Sequence, residues 1–324
     1  MENNNSLLII DTFYFLHRSF HGFPKDLTNK EGVHTNICYG FTRALLDSIF
    51  EFNPTHIVCS WESEELPSFR KTLFEDYQKT RIKMIDEEER IFSEQIPWII
   101  KIIEAFNIPR VTANGFEGDD VIGTVATLSS NQGFDVVVST SDQDMLQLIN
   151  DKIKIFRPAR PPFVKKKLFD AEIFKEDYGF EPIQMIDFKS LRGDSSDNIP
   201  GVKGVGEKTA VNLIQQFGSL ENIYANLDQV ASLSVRKKLE DSKDMAFLSK
   251  QLATIITNIP LDFDLNSAIV HDFNVSKVKE IFEYFDFKSL LGKLKILENI
   301  KILKDTQEGK LKKDGEESLQ KSLF

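Results

Sequence analysis

Nine carboxylates stand in five short clusters: Asp11; Glu62; the run Glu117-Gly118-Asp119-Asp120; the pair Asp142 and Asp144; and the pair Asp194 and Asp197. Three clusters follow directly on apolar runs of strand character: Leu7 to Ile10 before Asp11, Ile57 to Trp61 before Glu62, and Val136 to Thr140 before Asp142. A lone aspartate after a strand is ordinarily a turn or helix-cap residue. Five clusters repeating the arrangement are harder to explain as caps, because ligands of an open α/β sheet bind in the crevice at the carboxyl ends of its strands. Acids converging there repel one another unless cations lie between them. Oxygen-only ligands without a His or Cys cluster favour Mg²⁺ or Mn²⁺ over zinc. The chemistry this predicts is phosphoryl transfer at a carboxylate-lined, two-metal site.

Positioning such acids takes a sheet. The strand-like runs at 7–10, 57–61 and 136–140 alternate with stretches of helical spacing. Residues 36–52 carry Ile37, Phe41, Leu45, Ile49 and Phe52 on one face, and 96–106 carry Ile96, Ile99, Ile100, Ile103 and Phe106. Alternation of this kind predicts an α/β fold, a parallel sheet covered by helices. A helix opens at Asp119 with Val121, Ile122, Val125 and Leu128 as its apolar face, and acids in its first turn also suit the helix dipole. Between 62 and 95 the chain is polar and charged, a long excursion of the kind that forms a mobile lid or arch. Residues 157–168, with Pro158, Pro161 and Pro162 among basic residues, read as an extended loop. From about 171 the pattern is almost entirely helical. Residues 304–319 are polar and poor in apolar side chains, a composition that predicts disorder. The expected organisation is a catalytic core over 1–170 with its arch at about 63–95, a helical region over 171–303, and a tail over 304–324.

Composition limits the partners. At 324 residues, with 41% hydrophobic and 28% charged side chains, the chain has an ordinary globular make-up and can bury a large core. No apolar run approaches the ~20 residues needed to cross a bilayer, and Met1 to Ser6 lacks the basic and apolar regions of a signal peptide. Cys38 and Cys59 lie in apolar contexts, the pattern of buried free thiols in a reducing cytoplasm. A net charge of -10 argues at face value against nucleic acid. Metal ions would neutralise much of the acid cluster, however, and the basic residues are bunched. Arg70, Lys71, Lys79, Arg81 and Lys83 fall together, as do Arg157, Arg160 and Lys165 to Lys167.

A second chemical signal is the stretch 201–210, GVKGVGEKTA, preceded by Ile199-Pro200 and followed by the helical Val211 to Ile214. It has the form of a helix-hairpin-helix. Gly204 and Gly206 allow a tight turn with exposed amides, and the next helix adds its positive dipole end, so the turn can grip a DNA phosphate without reading bases. Lys203 and Lys208 flank it, and Asp194 and Asp197 lie within ten residues, spaced to share one side of a helical turn. A bare glycine turn between packed helices is the competing explanation.

These motifs together resemble the 5'-nuclease family: the amino-terminal domain of bacterial DNA polymerase I, phage 5'-nucleases and flap endonucleases. The resemblance runs from about residue 7 to 295. Its most specific pieces are GFEGDDVIGT from Gly115, Asp142-Gln143-Asp144-Met145, and GDSSDNIPGVKGVGEKTA from Gly193. It implies a PIN-like nuclease core with a helical arch and a helix-hairpin-helix region. The activity it implies is that of a Mg²⁺-dependent, structure-specific nuclease cutting phosphodiesters near a free 5' end, with two or more ions and Mn²⁺ as a substitute. A potassium ion held by backbone carbonyls of the hairpin is implied as well. By position, Asp11, Glu62, Glu117, Asp119, Asp120, Asp142 and Asp144 match the acids of the first metal region, and Asp194 and Asp197 those of the second. Arg18 matches a basic residue near the substrate. Arg70, Tyr77 and Arg81 match the arch motif, which in relatives clamps the phosphate and stacks on a base, with Lys79 beside it.

Four residues depart from the family pattern. Glu62 stands where relatives have Asp, and Gln78 where they carry Lys directly after the arch Tyr. Thr12 replaces a Gly after the first Asp, and Gly118 replaces a common Ala. No polymerase-like segment follows, so the expectation is a stand-alone, monomeric, cytoplasmic enzyme of primer removal and repair. A DNA-junction-binding protein with weakened cleavage is the first alternative, motivated by Glu62 and Gln78. A metal-dependent phosphatase of small molecules is the second, opposed by the arch and the hairpin. The terminal Gln320-Lys321-Ser322-Leu323-Phe324 resembles the short peptide by which bacterial proteins dock on the replication sliding clamp, with Gln320, Leu323 and Phe324 as anchors and Lys321 in place of the usual Leu.

Overall fold

The computed structural model describes residues 5–63, 68–81, 83–160, 162, 164–270 and 273–299. Ser6–Ile10 (β1) leads into the helix Thr12–Gly22 (α1), followed by the helix Asn36–Phe52 (α2) and His56–Ser60 (β2). The segment expected to form the arch carries two short helices, Phe69–Leu73 (α3) and Asp86–Ser93 (α4), before Ile96–Ala105 (α5) and the two-residue Arg110–Val111 (β3). Gly118–Asn131 (α6), Asp135–Ser139 (β4) and a 3-10 turn at Asp144–Leu148 complete the acid-bearing part, and Ile153–Arg157 (β5) and Lys167–Phe169 (β6) close the sheet. The helices Ala171–Tyr178 (α7), Met185–Arg192 (α8), Glu207–Phe217 (α9), Leu220–Ala225 (α10), Leu233–Asp241 (α11), Lys243–Ala253 (α12) and Val275–Tyr284 (α13) follow.

The sheet has the order β3-β2-β1-β4-β5-β6, with the first five strands parallel and β6 antiparallel. Its runs of Leu, Ile and Val are apolar on both faces, as a sheet covered on both sides requires. Leu7 and Ile9 face one core, shared with Val121, Val125 and the helices α7 to α12. Leu8 and Ile10 face the other, filled by Phe15, Phe20, Phe41, Ile99 and Phe282. Chain order reverses at the β1–β4 neighbours, because β1 pairs with both β2 and β4. That is the switch point where a crevice opens above the strand ends.

The expected parallel sheet and the helices at 36–52, 96–106 and from 119 are present, and Cys38 and Cys59 are buried free thiols. The extended loop expected over 157–168 is corrected. Arg157 ends β5, Arg160 bridges Val164, and Lys167 already pairs with Arg157 in β6. Prolines disguised this hairpin, since an edge strand tolerates them beside it. The tail at 304–324 lies outside the described residues.

The hairpin between α8 and α9 depends on two glycines that the sequence analysis did not single out. Gly193 and Gly201 have φ of +78° and +63°, and a Cβ built on Gly201 would lie 2.3 Å from the Gly193 nitrogen. Two passes of backbone therefore touch where no side chain fits. Gly201→Ala is expected to destabilise the protein by at least about 2 kcal/mol, read as a lower denaturation midpoint. A midpoint within error of the parent would show that the crossing can open without loss.

Candidate active site

Carboxylates from five segments line one cavity of about 730 Å³: Asp11 after β1, Glu62 after β2, Glu117 and Asp119 at the start of α6, Asp142 after β4, and Asp194 in the hairpin. Asp11 is a helix cap and lines the cavity at once. One carboxylate oxygen caps α1, accepting from the Tyr14 N–H at 3.2 Å, while the other accepts from the Thr140 hydroxyl at 2.6 Å. The Asp142 N–H donates in turn to Thr140 Oγ1 at 3.0 Å, and the Asp144 N–H donates to Asp142 Oδ1 at 2.8 Å. Thr140, which the sequence analysis did not select, thereby ties the acid after β1 to those after β4.

Crowding shows in the acids' proton affinities. Burial, with Asp142 and Glu62 nearby, pushes the Asp11 carboxyl up to about 7. Burial, then Asp142 and Asp11, raises Asp119 well above the usual carboxylate range. Burial also raises Asp142, with Lys189 opposing it.

Other acids are neutralised by the chain itself, and three expected roles are corrected. Asp120 is fully buried and does not line the cavity. It accepts from both terminal nitrogens of Arg70 at 2.8 Å, from the Ile256 N–H at 2.9 Å and from the Glu117 N–H at 3.2 Å. Those four bonds occupy its lone pairs, so it is a structural anchor rather than a metal ligand. Arg70 is 2% exposed and donates as well to the Leu252 and Thr254 carbonyls. Burial works against its charge, and the Asp120 pair more than restores it. An arginine fastened at this depth does not reach a substrate phosphate. Tyr77 is likewise buried at 4% exposure, packs with Ile199, Leu252 and Ala253, and donates from its hydroxyl to Glu117 Oε2 at 3.1 Å. It therefore orients a cavity acid and offers no free ring to a base.

The rest of the expected arch motif docks on the hairpin. The Gln78 N–H donates to the Asp197 carbonyl at 2.9 Å, and Asn198 Nδ2 donates to the Asp76 carbonyl at 2.6 Å. Arg81 donates from Nη2 to Asp197 Oδ1 at 2.6 Å, with its side chain still 56% exposed. Lys79 is exposed and pairs with Asp76 at 2.7 Å. Asp194 and Asp197 do not lie on a helix as their spacing predicted. They occupy a turn closed by antiparallel bonding of Asp194 with Ile199. Lys189, also missed, extends from α8 to Asp194 Oδ2 at 2.6 Å and to Asp144. Its signal in the sequence is a lone lysine on the helix Met185–Arg192 five residues before Asp194.

Lys203, Gly204, Gly206 and Lys208 are all exposed at the hairpin tip. Gly204 has φ +79°, as expected of a turn glycine. Gly206 is a correction. It is extended (φ -96°, ψ 178°) with open space around it, so its turn does not require glycine. Lys238 of α11 donates to the Gly204 carbonyl at 2.9 Å, placing an ammonium of the chain at the turn where the resemblance implies potassium. Arg18 lines an adjoining cavity of about 490 Å³ with Arg157 and Arg160, on the far side of a wall formed by Tyr14, His17 and Asp142. Glu62 and Gly118 face each other: a Cβ on Gly118 would sit 3.5 Å from Glu62 Cγ. The added methylene and the missing methyl are thus neighbours in the cavity wall.

Among the described residues no three His, Cys, Asp or Glu side chains converge into a ready-made cage. The donor set instead is a wide, oxygen-only wall of mutually repelling carboxylates. That fits a cation such as Mg²⁺, which keeps several waters and takes one or two carboxylates.

A carboxylate crevice at the switch point of a parallel sheet, joined to a glycine hairpin between helices, defines a metal-dependent nuclease fold. Residues 6–179 match the family model of the 5'-3' exonuclease N-terminal resolvase-like domain and residues 180–276 that of the 5'-3' exonuclease C-terminal SAM fold; the chain belongs to the 5'-3' exonuclease family, hydrolases acting on DNA. It is 38% identical over 294 residues to DNA polymerase I of Bacillus subtilis and 40% identical over 294 residues to that of Caldicellulosiruptor bescii. These matches cover 91% and 90% of this chain but 33% and 34% of the relatives, so the chain spans about a third of their length. T5 5'-exonuclease with bound divalent zinc aligns with a TM-score of 0.64 at 20% identity, covering 86% of this chain and 99% of that one. The catalytic core of Rad2 in complex with DNA substrate aligns at 0.56 and 18% identity, covering 87% and 88%. At these identities the likeness is one of fold.

Two predictions follow from the charge pattern. Because the folded pKa of Asp11 lies above its ordinary value of 3.8, its ionisation opposes folding. Its stability contribution is full below about pH 4 and is lost as pH rises through 7. In chelator, Asp11→Asn should therefore melt above the parent by a margin that grows from pH 5 to pH 7.5, and Mg²⁺ should shrink that margin. Comparing the two proteins cancels His17 and His56, whose lowered pKa values act in the opposite sense. A pH-independent margin would mean that Asp11 is not held protonated. Arg70→Ala should cost about 3–5 kcal/mol, since it strands a buried carboxylate, and Arg70→Lys should not restore it, lacking the bidentate fork. Near-parent stability of Arg70→Ala in denaturant would return Arg70 to the substrate.

Proposed function

We propose that this protein is a Mg²⁺-dependent 5'-3' exonuclease and flap endonuclease, acting as a monomer in the cytoplasm in primer removal and repair. The observation that carries this is the cavity in which acids from five segments meet above the switch point of the sheet, with Asp194 and Ser196 of the hairpin on its wall. Asp11, Glu62, Glu117, Asp119 and Asp142 would hold the divalent ions, with Asp194 and Asp197 as the second group; Asp144, which the resemblance sets with the first, joins the second because Lys189 bridges it to Asp194. Bound there, the ions supply an activated water and stabilise charge on the phosphate and the leaving 3' oxygen.

The chain's own groups do the rest. Lys203 and Lys208 attract the DNA backbone irrespective of sequence, and the Gly204 turn offers it backbone amides. A potassium ion at this turn would share it with the Lys238 ammonium. Arg81, whose side chain is 56% exposed, is the arch cation positioned to exchange a carboxylate for a phosphate. Gln78 faces the cavity without charge, so Lys71, Arg81, Lys189 and Arg192 are the lysines and arginines that line it. The catalytic core is taken as 1–170 with its arch at 63–95, and the DNA-gripping region as 171–303. Gln320, Leu323 and Phe324 would dock on the sliding clamp, tethered by 304–319.

A labelled 5'-flap duplex should be cut by the purified protein with Mg²⁺ and left intact in chelator. Asp142→Ala should abolish cutting while flap binding in Ca²⁺ survives. Binding without any cutting by the parent would favour the junction-binding alternative, and cutting by Asp142→Ala would remove the metal assignment.

A further inference from the structure

Lys189 is only 4% exposed, yet its side chain borders the acid cavity. It leaves α8 and places its ammonium between two acids from different segments, Asp144 of the 3-10 turn and Asp194 of the hairpin. Among the described residues these two carboxylates are its side-chain partners. The contrast with Arg70 is instructive. Arg70 is held by two backbone carbonyls in addition to Asp120 and is fastened in place. Lys189 has no such carbonyl, and it carries a compact charge on a flexible four-carbon stem. The neighbouring Asp187 does not compete for it, being paired with Lys250 at 2.7 Å. Among the described residues no lysine pairs with the acids on the other side of the cavity. Asp11 is bonded to Thr140 and Tyr14, and Glu117 to Ser68 and Tyr77, with Arg70 standing 3.6 Å away.

We propose that Lys189 is a tethered counter-cation for the second cation position of the cleft. In the metal-free protein its ammonium holds Asp144 and Asp194 together, and a second divalent ion enters by displacing it. The proposal rests on the reading of the cleft as a divalent-metal site. Its consequence is a built-in difference between two positions. The Asp11 side takes its ion at carboxylates held by neutral groups, with the fixed Arg70 standing off, whereas the Asp144–Asp194 side takes one only in competition with a flexible, covalently attached charge. Lys189 is in this sense a positioning residue that sets how readily the second ion is held, and it keeps the hairpin docked on the 3-10 turn until that ion arrives.

The test is Mn²⁺ binding without DNA, read from the electron paramagnetic resonance signal of the free ion, together with melting in chelator. The full-length parent, Lys189→Met, Lys189→Gln and Lys189→Arg are compared. The parent should show a tighter and a weaker class of site. In Lys189→Met and Lys189→Gln the weaker class should tighten by about tenfold or more, and the metal-free melting temperature should fall, with Mn²⁺ restoring it. Lys189→Arg should keep the parent's two classes. If Lys189→Met does not fold, Lys189→Gln, which retains hydrogen bonding without charge, decides the same point. Unchanged or weaker Mn²⁺ binding in the folded neutral variants would overturn the proposal while leaving the metal reading intact. No Mn²⁺ binding by the parent would overturn both.

Discussion

Repulsion among buried carboxylates is the constraint on which this molecule is organised. Nine acids from five segments are brought to one end of the sheet, and at low effective dielectric like charges at such distances are far more expensive than in water. The fold answers in two ways. Asp11, Asp119 and Asp142 are left crowded, with raised proton affinity. Asp120, Asp144, Asp194 and Asp197 are met by Arg70, Lys189 and Arg81.

Those internal cations are also cross-links. Arg70 joins the short helix α3 to the first turn of α6 and to the end of α12. Arg81 and the backbone around Gln78 join the same excursion to the hairpin, and Lys189 joins the hairpin to the turn after β4. Neutralising the site and assembling it are therefore one event. The pairs differ in permanence. Asp120 and Arg70 satisfy each other out of water, where breaking one partner is severe, while Arg81 remains half in solvent and can exchange partners. The segment expected to arch freely over the cavity is thus seated at one limb by the same charges that line it.

The hairpin shows how backbone shape and charge are coupled. Gly193 and Gly201 let two strands of chain touch, and that contact turns Asp194 toward Lys189 and Asp197 toward Arg81. A side chain at either glycine would move both acids. At the tip, by contrast, Gly206 is unconstrained, and what matters there is exposure of amides and of Lys203 and Lys208.

Much of this was legible in the residue order. Apolar runs ending in acids located β1, β2 and β4 and the crevice above them, because side-chain period and strand-end chemistry are local properties. Glu117, Asp119 and the GVKGVGEKTA turn were legible for the same reason. The tertiary structure decided which charges face each other. No spacing rule relates Arg70 to Asp120 across fifty residues, or Lys189 to Asp144 across forty-five, and the sequence analysis read Arg70, Asp120 and Tyr77 as substrate- or metal-facing. Whether a charged group is spent inside the protein or left for a ligand depends on which other charges the fold packs within a few ångströms of it, and that distance is set by the packing of the whole chain.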